Sequence, residues 1–161
     1  MQRHAHFSLC RRYRYALWRS WASNLARVLF IGLHPSIGDE RCDHPTLLRC
    51  LGYALSWCYS GLCIANLFAA VSTDSRGLKA RADPVGSNND QWLQLLYDKY
   101  PRILAIWGNC GGYLDRLTQV TRMLPRLDCL GRTKSGQPLH PLYQPAELIP
   151  QSYYVIDAPV R

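Results

Sequence analysis

The stretch ARVLFIGL at residues 26–33, followed by His34-Pro35-Ser36, decides how the rest of the chain is read. After Arg27 it holds no polar side chain. A strand with one wet face would alternate apolar and polar residues. This one does not, so it reads as a strand buried on both faces, as in parallel sheets covered by helices. Working outward, LCIANLFAA (62–70), RILAIW (102–107) and LDCL (127–130) repeat the pattern. Helical segments separate them. Asp43-His44-Pro45-Thr46 supplies a cap and an early proline. Leu47, Leu48, Leu51, Ala54, Leu55 and Cys58 then fall on one helical face, and Gly61 ends the segment. Asn89 caps a second helix carrying Trp92, Leu95 and Leu96, closed by Pro101. A third carries Leu114, Leu117 and Leu124 and stops at Pro125. Strands alternating with helices predict a three-layer α/β/α sandwich around a central, mainly parallel four-stranded sheet. Residues 72–89 form a long polar loop with one helical turn near Leu78, and long loops are often functional. Residues 153–156 form an edge strand or a loose tail.

Composition agrees with one packed domain over residues 1–161, with a basic aromatic segment at 1–25 and a tail at 146–161. Hydrophobic residues make up 48% and charged residues 19% of the 161, which excludes a disordered chain. The net charge of +8 points to a polyanionic partner, with nucleic acid first and a membrane surface second; the partner expected is nucleic acid, DNA first, or a nucleotide. No run approaches the roughly 18 apolar residues of a membrane span, and no signal peptide is visible. The expectation is a cytoplasmic protein without a membrane partner. Seven cysteines without a C-x-x-C pair read as reduced, mostly core residues, with no metal site and no cofactor.

In such sheets the ligand site lies beyond the carboxyl ends of the strands. Polar groups or glycine stand at each end: His34, Pro35 and Ser36; Asn66; Gly108 and Asn109; and Lys134, Ser135 and His140. Asn66 has the bidentate amide that a base edge requires; alternatively it ties the strand end to a loop. His140 is a donor or a loop-closing group. His34 and Asp39 are candidates for orienting water, or plain turn residues. Lys134-Ser135-Gly136-Gln137 reads as a phosphate-gripping loop or a common turn. Near the N-terminus, Arg11, Arg12, Arg14 and Arg19 interleave with Tyr13, Tyr15, Trp18 and Trp21. Alternation puts arginines on one strand face, placed for phosphates, and tyrosines on the other.

Two resemblances rest on these residues. RYALWRSW (14–21), LHPSIGD (33–39), residues 44–66, LKARADPVG (78–86) and CLGRTKSGQPLHPLY (129–143) resemble the DUF1643 family, a name that carries no activity. More distantly, the motif order is similar to that of the uracil-DNA glycosylase superfamily. Its members end a first strand in Gly-x-Asn/Asp-Pro, here Gly32-Leu33-His34-Pro35. A second strand ends in a base-reading asparagine, here Asn66. A third carries Leu-Trp-Gly-Ser-His, here Ile106-Trp107-Gly108-Asn109. A last loop carries His-Pro-Ser, here His140-Pro141-Leu142. His34 stands where that family has Asn or Asp, and Leu142 replaces its phosphate-clamping serine. The resemblance implies a glycosylase-like domain acting at a base of a nucleic acid or nucleotide, with His34, Asp39 and His140 in the catalytic positions. A non-catalytic nucleic-acid-binding module and an enzyme of free nucleotides or nucleosides are the alternatives.

Overall fold

A computed structural model describes residues 1–38 and 40–155. The four apolar runs become β3 (Arg27–Gly32), β4 (Gly61–Asn66), β5 (Arg102–Ala105) and β6 (Leu127–Cys129). The pairs β3–β4, β3–β5 and β5–β6 are parallel. Three strands lie outside this core: β1 (Gln2–Phe7), β2 (Arg14–Ser20) and β7 (Gln151–Tyr153). The pairs β1–β2, β2–β4 and β6–β7 are antiparallel. Among the described residues the sheet is therefore mixed and seven-stranded, in the order β1-β2-β4-β3-β5-β6-β7, and the expected four-stranded, mainly parallel sheet is corrected to that extent.

The helices are α1 (Pro45–Ser56), α2 (Ser75–Lys79), α3 (Asn89–Lys99) and α4 (Arg116–Met123). Strand side chains alternate between two cores, as the pleat requires. Val28, Phe30, Leu62, Ile64 and Leu104 pack with Leu47, Cys50, Leu51 and Ala54 of α1. Leu29, Ile31, Cys63, Ala65 and Ile103 pack with Leu93 and Leu96 of α3 and Val120 and Leu124 of α4. This double burial is why the strands read as unbroken apolar runs. Helix α1 buries a narrower stripe than expected, for Leu48 and Leu55 are exposed. Its N-cap is His44 rather than Asp43. Asn88, not Asn89, stands at the N-cap position of α3, without a side-chain capping bond.

Of the seven cysteines, all free, Cys50, Cys63 and Cys129 are buried; Cys10, Cys42, Cys58 and Cys110 are exposed, against the expectation of a mostly core set. Burial pushes the Cys63 thiol up to about 12, so it is no thiolate nucleophile at neutral pH. Among the described residues, no helix is long and apolar enough to cross a membrane.

Candidate functional site

Strands β3 and β5 are neighbours, yet β3 connects onward through α1 on one face while α3 and α4 flank β5 on the other. Their loops diverge, and such a switch point opens a crevice at the carboxyl ends of the strands. A cleft of about 240 Å3 lies there. His34 and Ser36 line it from the loop after β3, Asn66 from the end of β4, Trp107 from the segment after β5 and His140 from the loop after β6. Side chains from all four strand-end motifs thus share one cavity.

Asn66 is buried, 4% exposed, and its side-chain Nδ2 has no hydrogen-bond partner. Leaving a buried amide unsatisfied costs about 1–3 kcal/mol. Its backbone, by contrast, is held firmly. The Asn89 Nδ2 donates to the carbonyls of Asn66 and Leu67, each at 3.0 Å. Arg116 Nε donates to the Leu67 carbonyl at 2.6 Å, and its Nη2 pairs with Asp90. Room for the amide comes from Gly32, where a Cβ would stand 2.9 Å from Asn66 Oδ1.

The two histidines carry complementary nitrogens. His140 Nδ1 accepts from the Leu142 N–H at 3.2 Å. In the neutral ring, Nε2 therefore carries the proton and is a donor. Burial lowers the pKa of His140 from its ordinary 6.5, which keeps it in that neutral form. His34 Nδ1 lies 3.1 Å from the Pro35 carbonyl. A carbonyl only accepts, so Nδ1 carries the proton there and Nε2 offers a lone pair. The loop bearing His140 is strapped to α1. Arg49 Nη2 donates to the Gln144 carbonyl, Tyr53 Oη to that of Pro145 at 2.6 Å, and Trp57 Nε1 to that of Leu148 at 2.9 Å. These three residues recur every fourth position, one stripe of the helix.

The other candidates are distributed differently. Pro35 is buried, its carbonyl also accepting from Ser72 N. Gly108 (φ +69°) does not line the cleft but lies beside His140, whose Cβ is 3.7 Å from where a Gly108 Cβ would stand. Asn109 is exposed and accepts from Thr133 and Ser135 hydroxyls at 2.7 and 2.9 Å. Lys134 and Ser135 line a second cavity rather than the cleft. Asp39 lies outside the described residues.

The four arginines do not share a face. Arg14 is buried and lines the cleft. Arg19 is fully buried, its Nε 3.0 Å from Asp43. Arg11 and Arg12 are exposed, and Arg11 sits over the Phe7 ring beside Glu40. The expected phosphate-holding row is therefore split, because two of its members are enclosed by the fold. The tyrosines do share a face: Tyr13, Tyr15 and Trp92 of α3 stack in a row.

Sequence reasoning missed His44 and Thr46, which line the cleft from the start of α1, and the place of Arg14 in it. It also missed Asn89 and Arg116 as the residues behind Asn66. The one available signal was the absence of acidic residues near Arg14, and that signal suggested a surface.

No curated protein and no solved structure matches the chain. The family described as "protein of unknown function (DUF1643)" matches residues 14–142. That span runs from the cleft arginine at the start of β2 to just past His140, and on this match the chain belongs to the DUF1643 family.

Proposed function

We propose that the cleft binds a nucleobase by its edge through Asn66 and that the chain cleaves the N-glycosidic bond of that base. The observation that carries this reading is the buried Asn66 amide without a partner for Nδ2. An asparagine side chain offers a donor and an acceptor side by side, the pattern that base edges complement. The order of the four strand-end motifs, similar to that of uracil-DNA glycosylases, supports the same reading.

The chemistry follows from the two tautomers. Water attacks the anomeric carbon as the carbon–nitrogen bond to the base breaks. One water proton passes to His34 Nε2, acting as general base. The bonding pair leaves with the base, and the His140 Nε2–H donates to the base oxygen on which negative charge develops. His34 gives its proton up to solvent and the base ring nitrogen takes one from solvent, which completes the hydrolysis and restores the neutral imidazole.

The burial of Arg14 in the cleft and of Arg19 in the core removes two cations from the surface expected to face DNA. It favours a second reading, in which the substrate is a free nucleotide or nucleoside. One experiment separates the readings. Oligonucleotides bearing uracil, hypoxanthine and other altered bases, and the matching nucleosides and nucleotides, are incubated with the protein and released base is quantified. Release from oligonucleotides alone supports the first reading, and release from small substrates the second. Salt-sensitive binding without release identifies a non-catalytic nucleic-acid module.

Two further outcomes are expected. Gly32→Ala places a Cβ against Asn66 Oδ1. Base binding should weaken at least about tenfold, equal to 1.4 kcal/mol, and stability should fall by about 1–3 kcal/mol from overpacking. Calorimetric titration and a denaturant midpoint check both. The second concerns His140. Its folded pKa lies below the unfolded 6.5, so the unfolded chain binds the proton more readily. The contribution is fully present above pH 6.5 and is lost as pH falls from there through the lower folded value. Urea midpoints of the wild type should decline in that window more steeply than those of His140→Gln.

A further inference from the structure

The second cavity, of about 460 Å3, lies between the 132–137 turn, Leu117 of α4 and Tyr153 of β7. Its lining carries two cations, Arg132 and Lys134, two hydroxyls, Thr133 and Ser135, and no acidic residue among those described. The turn is held tightly: Gly136 adopts φ +81°, with its N–H on the Thr133 carbonyl at 2.9 Å. Arg132 is fixed as well. Its guanidinium lies 4.9 Å from the Tyr153 ring centroid and 4.3 Å from that of Tyr154, and its Nη1 donates to the Gly136 carbonyl at 3.3 Å. The remaining Nη2 is buried and has no hydrogen-bond partner. An ionised donor without an acceptor costs more than a neutral one. A structure that keeps it so, in a rigid aromatic clamp, is preorganised for an anion.

We infer that this cavity is a phosphate site, distinct from the base cleft. A guanidinium and an ammonium line the cavity together, and because the Thr133 and Ser135 hydroxyls donate to Asn109 Oδ1, the two cations carry the recognition of a phosphate. The volume leaves room for a sugar attached to the phosphate. One hydrogen bond joins the linings of the two cavities: Trp107, which lines the cleft, donates through Nε1 to Gln137, which lines the phosphate cavity, at 3.3 Å. The site rests on residues other than Asn66 and stands whether or not the cleft takes a base.

The test is calorimetric titration with inorganic phosphate, with uridine, with uridine 5′-monophosphate, and with a single-stranded uracil oligonucleotide, at two salt concentrations. Arg132→Gln should weaken phosphate-bearing ligands at least about tenfold. Lys134→Ala, at an exposed position that the fold does not need, should reduce the salt slope for the oligonucleotide by about one. Neither should change uridine affinity more than about twofold. Weakening of both oligonucleotide and monophosphate marks a free phosphate ester as sufficient, and weakening of the oligonucleotide alone marks a strand phosphate; both outcomes support the site. Asn66→Leu should do the reverse, impairing uridine and sparing inorganic phosphate, so failure of the base reading is separately visible. Wild-type protein that binds no phosphate-bearing ligand, or Lys134→Ala and Arg132→Gln proteins that bind them as the wild type does, overturns the inference.

Discussion

Replacing Asn66 by leucine is expected to lower kcat/KM for base release by roughly 10- to 100-fold, the worth of a bidentate base contact, while leaving the protein as stable as before or more so. The two halves of this outcome belong together. A buried amide that holds a structure together loses hydrogen bonds when it is truncated, and stability falls. Asn66 Nδ2 makes no hydrogen bond. Exchanging it for an apolar group of similar volume removes an unsatisfied donor, and such exchanges are nearly neutral or stabilising. The backbone contacts from Asn89 and Arg116 end on carbonyl oxygens and survive the substitution. Rate and denaturant midpoint, measured on the same preparation, decide the matter. A drop in both would return Asn66 to a structural role.

The second large effect is on folding. Arg19→Met is expected to destabilise the protein by about 3–5 kcal/mol, the usual cost of removing one member of a buried ion pair. Arg19 is fully buried and Asp43 is 12% exposed at its side chain, with a second contact from the partly exposed Arg3 at 2.8 Å. Without Arg19, the Asp43 carboxylate keeps one solvated partner and loses the enclosed one. Against a total of about 5–15 kcal/mol for a native domain, that is about a fifth of the stability or more. Asp43→Asn in the same chain should recover part of the loss, since it removes the stranded charge. A loss below about 1 kcal/mol would match a surface ion pair instead, and would contradict the burial of Arg19.

Arg19 also marks where the sequence stopped being legible. The four central strands were readable because burial on both faces leaves unbroken apolar runs such as residues 28–31. Strand β2 is just as buried along Arg14–Leu17, yet two of its enclosed side chains are arginines. The rule that charge means surface therefore made a buried strand read as a surface one and lost β1, its antiparallel neighbour. The edge strand expected at 153–156 is found as β7, which overlaps that range only at Tyr153; at three residues it is too short for alternation to fix its bounds. In the site, His34, Asn66 and His140 were recoverable because one rule places ligands beyond strand ends. Arg14 and His44 were not, since they reach the cleft from an antiparallel strand and a helix start, which that rule does not cover. Lys134 was read as part of the same site. A four-residue turn motif does not encode which side of its own hairpin it faces, and this one faces α4 and β7.

The central claim is that the Asn66 amide reads a base. Free bases and their nucleosides, titrated calorimetrically into wild-type, Asn66→Leu and His34→Gln proteins, test it most directly. The account predicts that the wild type binds at least one base and that Asn66→Leu weakens it by roughly 10- to 100-fold, the worth of a bidentate contact at about 1–3 kcal/mol. His34→Gln should bind that base like the wild type, because His34 acts on water rather than on the base. Binding unchanged by Asn66→Leu, or no binding of any base or nucleoside to the wild type, would contradict the account.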